Sequence, residues 1–316
     1  MNKHPLTFAN MPLNRASSLR KGGSWLQEQL TSDNCLLIPS LKGKYLFAGN
    51  KLVYLKSQLV ISQQVKELAS ELIFLGLDEE QALFVVDILP GEQEQLLSLL
   101  GVEYEFRDFR SSLHLLTPRE ASILAYGKSL SYWHSQHQYC GCCGSKSQAR
   151  DGGHMRKCGN ENCQKEHFPR TDPVVIMLVE YQPEFGPKQC LLAQHHNIAK
   201  KVVSTLAGFV DPGEALEEAV AREVNEEAGI RVDKVQYIAS QPWPFPGSLM
   251  MGFFATTREP SIRIDADELV DAKWFTAEEV RTFDNWGDEG DNYQLPRQQS
   301  IARYLIDLWL ENQSEK

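Results

Sequence analysis

The chain has 316 residues, of which 42% are hydrophobic and 23% are charged, and its formal net charge is −10. This length and composition indicate a globular protein of more than one domain, since a domain takes roughly 150 residues. The negative charge argues against a protein that binds nucleic acid by broad phosphate neutralisation, so an anionic substrate requires a local device such as a metal ion.

The N-terminus has no apolar segment of the kind that a secretory signal contains. The longest apolar runs, such as residues 174–179, are too short to span a bilayer. We therefore expect a cytoplasmic protein without a membrane partner.

Residues 1–130 alternate strand-like and helix-like patterns, and we predict a small α+β domain there. The strand patterns lie at residues 36–40, 44–49, 51–55 and 82–89, and the helix patterns at 62–77, 91–100 and 118 to about 137. No catalytic constellation is recognisable in this segment.

Residues 131–171 form a second predicted domain, rich in cysteine and glycine. Two cysteine pairs, Cys140 with Cys143 and Cys158 with Cys163, are separated by 14 residues. Such pairs are typical of a structural Zn²⁺ site, and four sulfur ligands leave no open position for catalytic water. We predict a zinc ribbon with one Zn²⁺ held by these four cysteines.

Other assignments of the cysteine-rich segment remain open. Cys142 allows a shifted ligand register, His154 or His167 is a conceivable substitute for one cysteine, and the thiols are alternatively buried and free.

Residues 172–316 form the third predicted domain. It begins with the apolar strand pattern at 174–179 and contains a strongly helical pattern at 214–228. A proline-rich segment follows at 240–248, and a closing helix is predicted from about Pro296 to Leu310.

The helical pattern at 214–228 carries a cluster of carboxylates. At 100° per residue, Glu223, Glu226 and Glu227 fall within an arc of about 100° on one helix face. Like charges at these spacings destabilise a helix by roughly 0.2–0.5 kcal/mol per pair, and only Arg222 lies among them. Clustered carboxylates favour Mg²⁺ or Mn²⁺ binding, and a merely acidic surface face is the alternative.

The same stretch matches the Nudix box, G-x5-E-x7-R-E-U-x-E-E-x-G-U, at every fixed position: Gly208, Glu214 and the run 222–230. The chain thus resembles the Nudix hydrolases. That resemblance implies an α/β fold of the α+β type, an α/β/α sandwich with a mixed sheet. It also implies hydrolysis of a nucleoside diphosphate linked to another group.

The resemblance further implies the residues of the active site. Glu223, Glu226 and Glu227 would be catalytic residues and ligands of Mg²⁺ or Mn²⁺, with the backbone carbonyl of Ala207 as another ligand. Arg222 and Glu214 would brace the loop. The acidic sequence around Glu268, taken alone, indicates a solvated turn. By the resemblance, Glu268 would be a further metal ligand or a base.

Residues 240–248 read SQPWPFPGS, in which three prolines alternate with Trp243 and Phe245. Proline lacks a backbone donor and fixes φ, so the segment is neither helix interior nor central strand. We expect a rigid extended ribbon that displays both aromatic rings. The alternative is a hydrophobic loop clamped over the core of the protein.

A zinc ribbon, a Nudix box and SQPWPFPxS together resemble the NADH pyrophosphatase subfamily over about residues 135–310. This resemblance implies Mg²⁺-dependent hydrolysis of NADH or NAD⁺ to nicotinamide mononucleotide and AMP, removal of NAD caps from RNA 5′ ends, and a homodimer. The implied substrate-binding residues are Phe168, Phe209, Gln241, Pro242, Trp243, Pro244, Phe245, Pro246, Gly247, Ser248 and Ala302. Aromatic faces suit flat nicotinamide and adenine rings.

Two other functions compete with this interpretation. One is a Nudix hydrolase for another substrate, such as ADP-ribose or diadenosine polyphosphates, against which the proline-rich segment argues. The other is a non-enzymatic nucleic-acid or regulatory module built on the zinc ribbon. The complete box and the negative charge argue against that module, and we expect no DNA partner.

Overall fold

The computed structural model describes residues 6–57, 60–101, 103–196 and 201–314. The helices are α1 (Gly23–Thr31), α2 (Val60–Glu67), α3 (Gln93–Leu100), α4 (Pro118–Gln136), α5 (Leu216–Ala228), α6 (Ala277–Arg281) and α7 (Ile301–Ser314). Within the described ranges, none of these helices has the length and apolar character needed to cross a membrane.

The strands belong to three sheets, and we number them along the chain. They are β1 (Cys35–Leu41), β2 (Lys44–Ala48), β3 (Lys51–Leu52), β4 (Leu55–Lys56), β5 (Ala69–Asp78), β6 (Gln81–Ile88), β7 (Tyr104–Asp108), β8 (Ser147–Arg150), β9 (Met155–Cys158), β10 (Glu166–His167), β11 (Asp172–Tyr181), β12 (Gln189–His195), β13 (Leu206–Phe209), β14 (Lys234–Trp243), β15 (Ser248–Thr257) and β16 (Leu269–Thr276).

The described chain forms two compact units. The first unit contains residues 6–7, Asp172–Pro242 and 248–314, and the second contains Phe8–Thr171 and Trp243–Gly247. The cysteine-rich segment thus belongs to the same unit as the N-terminal sheet. The division of the chain into three domains stays a prediction.

The first unit is built on a mixed sheet in the order β14-β15-β11-β12-β16, with β13 paired to β11. The central strand β11 runs parallel to β15 and antiparallel to β12. Its side chains alternate between two cores: Val175 and Met177 join the core that contains residues of α5, while Ile176 and Leu178 join the core that contains residues of α7. This is an α/β/α sandwich with a mixed sheet, so the predicted fold class is confirmed.

The second unit has a sheet in the order β3-β2-β1-β6-β5, with β4 paired to β1 and β7 paired to β2. Leu30 of α1 and Leu96 of α3 lie in the core on one face. Leu124 and Leu130 of α4 lie in the core on the other face. After α4 the chain forms the small sheet β10-β9-β8, which carries the cysteine pairs.

The helix predicted over residues 62–77 is wrong after Glu67. Helix α2 ends there, and β5 begins at Ala69 and pairs antiparallel with β6, with Phe74 opposite Phe84. Ile73, Phe74 and Leu75 in the middle of β5 are buried, and the pairing with β6 shows that tertiary structure overrides the local helical pattern.

The closing helix begins later than the predicted Pro296. Ser300 precedes its first residue, and the Ser300 hydroxyl accepts a hydrogen bond from the Arg303 amide at 3.3 Å. The Ile301 amide donates to Gln241 Oε1 at 2.8 Å. These two acceptors satisfy amides that a helix start leaves free, and they set the boundary at Ile301.

The sequence predicts that the proline-rich segment is not a central strand. This is confirmed, because the segment begins at the end of β14, which is an edge strand of its sheet. The prediction of an extended ribbon is wrong beyond Trp243, since residues 244–247 form a turn to β15. The rings of Trp243 and Phe245 are half-buried and lie 6.1 and 6.0 Å from the Phe8 ring. Phe245 also stacks on Phe109 at 5.9 Å. A hydrophobic loop clamped over the core would make these same contacts.

Candidate functional site

Helix α5 places two glutamates inside the first unit. Val220 and Val224 are completely buried in the core, and this packing draws the neighbouring face inward. Glu223 is 9% exposed and Glu227 only 1%. The helix ends at Gly229, whose φ of 69° is the left-handed geometry expected from the sequence.

Glu227 is a buried carboxylate without a hydrogen bond. Neither of its oxygens has a hydrogen-bond partner of ordinary geometry among the described residues. The backbone of Ala207 lowers the pKa of Glu227, but by less than burial raises it. Burial, followed by the charges of Glu268 and Glu223, raises the pKa of Glu227 from its ordinary value of 4.5 to about 8. A buried charge of this kind is costly unless a cation compensates it.

Glu223 lies directly against the backbone of β13. A Cβ atom at Gly208 would lie 1.9 Å from the Glu223 carboxyl carbon, so only glycine allows this approach. Burial raises the pKa of Glu223 despite its contact with Arg222. The fixed glycine of the box therefore makes room for a carboxylate rather than for a turn.

Arg222 connects the loop to the helix. Its Nε and Nη2 donate to the two carboxylate oxygens of Glu214 at 2.7 and 2.9 Å, and Nη2 also donates to the Phe209 carbonyl at 2.8 Å. This contact lowers the pKa of Glu214 to about 2. The expected bracing role of Arg222 and Glu214 is confirmed.

Arg222 also holds part of the carboxylate cluster. Its Nη1 donates to Glu223 at 2.8 Å and to Glu226 at 2.9 Å. The side chain of Glu226 is 56% exposed, so it lies at the edge of the cluster rather than within it. Glu226 could therefore turn toward a ligand without leaving a buried position.

Glu268 lies on an exposed turn whose backbone is tied to the end of α5. The Asp265 amide donates to the Glu227 carbonyl at 2.9 Å, and the Glu268 amide donates to the Asp265 carbonyl at 3.2 Å. The charge of Glu268 raises the pKa of both Glu223 and Glu227. Glu268 thus lies within electrostatic reach of Glu223 and Glu227.

This group of residues fits a divalent cation. The buried oxygens of Glu227 have no partner among the described residues, and the like charges of Glu268 and Glu223 act on them, so a cation would stabilise the ionised carboxylate. Ala207, the expected carbonyl ligand, is next to Gly208 in β13. All these donors are hard oxygens, which Mg²⁺ and Mn²⁺ prefer.

The four predicted cysteines come together in the second unit. The Sγ atoms of Cys140, Cys143, Cys158 and Cys163 all lie within 4.8 Å of one another. Cys140 and Cys163 are 3.8 Å apart, and Cys143 and Cys158 are 3.4 Å apart. A tetrahedral Zn²⁺ with Zn–S bonds of about 2.3 Å requires sulfur separations of about 3.8 Å, so the cluster is compatible with structural zinc.

Backbone amides support the thiolate form of the first pair. The Cys142 amide donates to Cys140 Sγ at 3.4 Å and lowers the pKa of that thiol. The backbone at Ser145 lowers the pKa of Cys143 to about 6. Thiolates are the form that binds zinc.

The three alternative zinc ligands differ in where they lie relative to the cluster. Cys142 is exposed and does not belong to the cluster. His154 Nε2 lies 2.7 Å from the Phe74 carbonyl, and burial lowers its pKa to about 4. His167 Nε2 lies 3.3 Å from Cys140 Sγ, where it can donate to the thiolate.

The residues expected to bind substrate differ in accessibility. Phe209 in the first unit and Phe168 in the second are exposed, at 60% and 64%. Gln241 is buried: its amide nitrogen donates to the carbonyls of Thr7 at 2.9 Å and Gln299 at 2.7 Å. Both amide protons of Gln241 are thereby used. The Gln241 Oε1 atom accepts a hydrogen bond from the Ile301 amide, and the next residue, Ala302, is buried.

The rest of the expected set lies along the β14–β15 connection. Its members are Pro242, Trp243, Pro244, Phe245, Pro246, Gly247 and Ser248. Trp243 and Phe245 are also near a cation, since the Arg110 guanidinium lies 5.7 and 5.1 Å from their ring centroids. A role for these residues in substrate binding stays a prediction.

Comparison with known proteins gives two family matches. A NUDIX domain matches residues 171–297, and an NADH pyrophosphatase-like rudimentary NUDIX domain matches residues 22–133. The NAD-capped RNA hydrolase NUDT12 of Homo sapiens is 32% identical over 96% of this chain and 73% of its own length.

Two other relatives show the same resemblance. The NAD-capped RNA hydrolase NudC of Stutzerimonas stutzeri is 40% identical over 65% of this chain and 67% of its own. The mitochondrial NAD(P)H pyrophosphatase NUDT13 of Homo sapiens is 33% identical over 88% of this chain and 82% of its own.

We predict that Glu227 makes the metal-free protein less stable as pH rises. The folded protein keeps the Glu227 proton up to a pKa of about 8, whereas the unfolded chain releases it near 4.5. The stability gained from the neutral carboxyl is therefore complete below pH 4.5 and is lost as pH rises through 8. Without added Mg²⁺, Glu227→Gln should melt like the wild type at pH 4.5 and higher at pH 8, by about 2–4 °C per kcal/mol regained.

The control is Glu226→Gln, which changes an exposed carboxylate of the same helix. Thermal melting from pH 4.5 to 9 should give parallel curves for this variant and the wild type. Parallel curves for Glu227→Gln and the wild type would contradict the assignment of a buried, uncompensated carboxylate.

We also predict about one zinc per chain, held by the cysteine cluster. A Cys140→Ser/Cys143→Ser variant should lose the metal and melt earlier, because metal binding supplies folding energy to such sites. Cys142→Ser should keep its zinc, since Cys142 lies outside the cluster. Metal analysis of the purified variants tests this, and loss of zinc in Cys142→Ser would show that the ligand register is wrong.

Proposed function

Because this chain belongs to the NADH pyrophosphatase subfamily of the Nudix hydrolases, we propose that it hydrolyses the pyrophosphate bond of NADH or NAD⁺. Water adds to one phosphorus and the P–O–P bond breaks, which gives AMP and nicotinamide mononucleotide, the latter in its reduced form when NADH is the substrate. The observation that carries the proposal is the buried, unpartnered carboxylate of Glu227 beside Glu223, braced by Arg222.

The residues that would hold the catalytic cation, Mg²⁺ or Mn²⁺, are Glu223, Glu226, Glu227, Glu268 and the backbone carbonyl of Ala207. When bound, such a cation neutralises the diphosphate and lowers the pKa of water. This supplies the local positive charge that a chain of net charge −10 otherwise lacks for an anionic substrate.

The chain's own residues have distinct roles in this proposal. Glu227 and Glu223 fix the position of the cation because their carboxylates are held by packing. Arg222 keeps the loop, strand and helix in register. Glu268, on its exposed turn, would be either a further ligand of the cation or the base that accepts the proton of the attacking water.

NAD-capped RNA is the second proposed substrate. The relatives NUDT12 and NudC are named as NAD-capped RNA hydrolases, and an NAD cap presents the same pyrophosphate bond. The negative charge of the chain favours recognition of the cap rather than of a long RNA backbone.

Three further properties are part of the proposal. Structural zinc in the four-cysteine cluster is supported by the separations of the sulfur atoms. A homodimer and a cytoplasmic location are expectations drawn from the resemblance and from the sequence.

A Nudix hydrolase for another nucleoside diphosphate derivative, such as ADP-ribose, is the alternative. The half-buried Trp243 and Phe245 leave less aromatic surface for nicotinamide than an open ribbon would. Phe209, whose carbonyl Arg222 holds, has a ring that is more exposed than those of Trp243 and Phe245.

The direct test is incubation of the purified protein with NADH and Mg²⁺, followed by separation of the products. We expect reduced nicotinamide mononucleotide and AMP in equal amounts, and a loss of turnover by orders of magnitude in Glu223→Gln. Glu217→Gln is the matched control, because Glu217 is an exposed residue of the same helix. Equal turnover in both variants would contradict the assigned site, and cleavage of ADP-ribose alone would favour the alternative.

A second prediction concerns Phe209. If its exposed ring stacks on the substrate, Phe209→Ala should lower kcat/KM for NADH by roughly 2- to 13-fold, as expected for a contact of about 0.5–1.5 kcal/mol. Phe185→Ala is the control, because Phe185 is 85% exposed and belongs to the same unit. An equal effect of the two substitutions would remove Phe209 from the binding site. Gln241 and Phe245 are poorer probes, because their substitution breaks internal contacts.

A further inference from the structure

The second unit contains a cavity of about 260 Å³ that no step of the proposed function uses. Four parts of the chain form its wall: the turn between β1 and β2, the start of β5, the end of β6 and one face of α4. Residues from these parts include Lys42, Asp87, Lys128 and Ser131, with Ile88 and Leu89 as the apolar contribution.

Two lysines, exposed Lys42 and partly buried Lys128, contribute positive charge to the wall of the cavity. Neither Lys42 nor Lys128 makes an ion pair or hydrogen bond through its side chain within the described ranges. Lys128 is partly buried, which lowers its pKa, and Asp108 only partly opposes this. Its ammonium lies close against the turn, since a Cβ atom at Gly43 would be 2.5 Å from Lys128 Nζ.

The cavity also contains acceptors for hydroxyl groups. Asp87 Oδ1 accepts a hydrogen bond from the Ser40 hydroxyl at 2.9 Å, and burial raises the pKa of Asp87 to about 6. Glu71, the other carboxylate in the wall, is already paired with the guanidinium of Arg156. Asp87 is therefore the acidic group most available to a ligand.

The local structure around the cavity is unusual for a packed core. On α4, Lys128, Ser131 and Ser135 are spaced by three and four residues and give the helix a polar face at the cavity wall. Ser131 is 4% exposed, and its hydroxyl has no hydrogen-bond partner among the described residues. A bulge also interrupts the β5–β6 pairing between Ala69 and Glu71, and bulges are frequent next to binding sites.

We propose that this cavity is a binding site for a small hydroxylated phosphate of about the size of a pentose phosphate. Lys42 and Lys128 would bind the phosphate group, while Asp87 and Ser131 would bind hydroxyls of the sugar. The volume is slightly below the roughly 300 Å³ at which pockets for drug-sized ligands begin, which suits a ligand of this size. The sugar phosphate is either free or part of a mononucleotide.

Methyl NMR on the full-length protein tests this proposal without relying on catalysis. Ile88 and Leu89 line the cavity and report on it, whereas Ile230 lies in the first unit and reports on the environment of α5. Without added Mg²⁺, ribose 5-phosphate, AMP and nicotinamide mononucleotide are titrated separately. We expect saturable shifts of Ile88 and Leu89 with at least one of the three.

The three titrations also identify the source of the ligand. Shifts with ribose 5-phosphate support a site for a free sugar phosphate, and shifts with a mononucleotide alone support a nucleotide site. Shifts of Ile230 alone, or no shifts at millimolar concentration, overturn the proposal. None of these outcomes depends on hydrolysis, so the proposal and the proposed function fail separately.

Variants assign the binding to the named residues. Lys128→Met should weaken binding about tenfold or more, as loss of a charged hydrogen bond does, while Lys51→Met, an exposed lysine outside the cavity, should leave it unchanged. Asp87→Asn keeps the acceptor for Ser40 and should also weaken binding, which provides a second test if Lys128→Met does not fold. Binding that neither variant weakens would overturn the proposal.

Discussion

The candidate active site depends on the guanidinium of Arg222. Its five hydrogen bonds join Glu214 of the loop, the carbonyl of Phe209 at the end of β13, and Glu223 and Glu226 of α5. One rigid, permanently charged group therefore fixes three pieces of backbone and neutralises part of the negative charge that they bring together. Glu227 is not among its partners. The deepest carboxylate is left for a ligand to compensate.

Much of this site follows from the sequence, because local geometry determines it. The spacing of Glu223 and Glu227 on one helix turn and the left-handed Gly229 are properties of a single helix. Each cysteine pair likewise lies in one short turn, Cys140 with Cys143 and Cys158 with Cys163, and the adjacent strands β8 and β9 connect the two turns. In both places the residues that matter are close in the chain.

The sequence is less informative where distant segments decide the structure. The last part of the segment with a helical pattern forms β5 because it pairs with β6. The final helix begins at Ile301, whose amide donates to the side chain of Gln241, sixty residues earlier. The same applies to the cavity, since Lys42, Asp87 and Lys128 come from three separate elements. Its one sequence signal was the polar spacing on α4, which is also compatible with a solvent-exposed helix face.

Arg156 has a consequence for how the second unit unfolds. This guanidinium is 3% exposed, lies two residues before Cys158, and contacts Glu71 of β5, His134 Nδ1 of α4 at 2.7 Å and Ser147 of β8 at 2.8 Å. Separating these elements would leave the buried charge of Arg156 without its partners, at a cost of several kcal/mol. We therefore expect the four-cysteine cluster and the N-terminal sheet, which belong to one compact unit, to open together. Amide protons in β9 and β5 should exchange with solvent through a shared opening rather than independently.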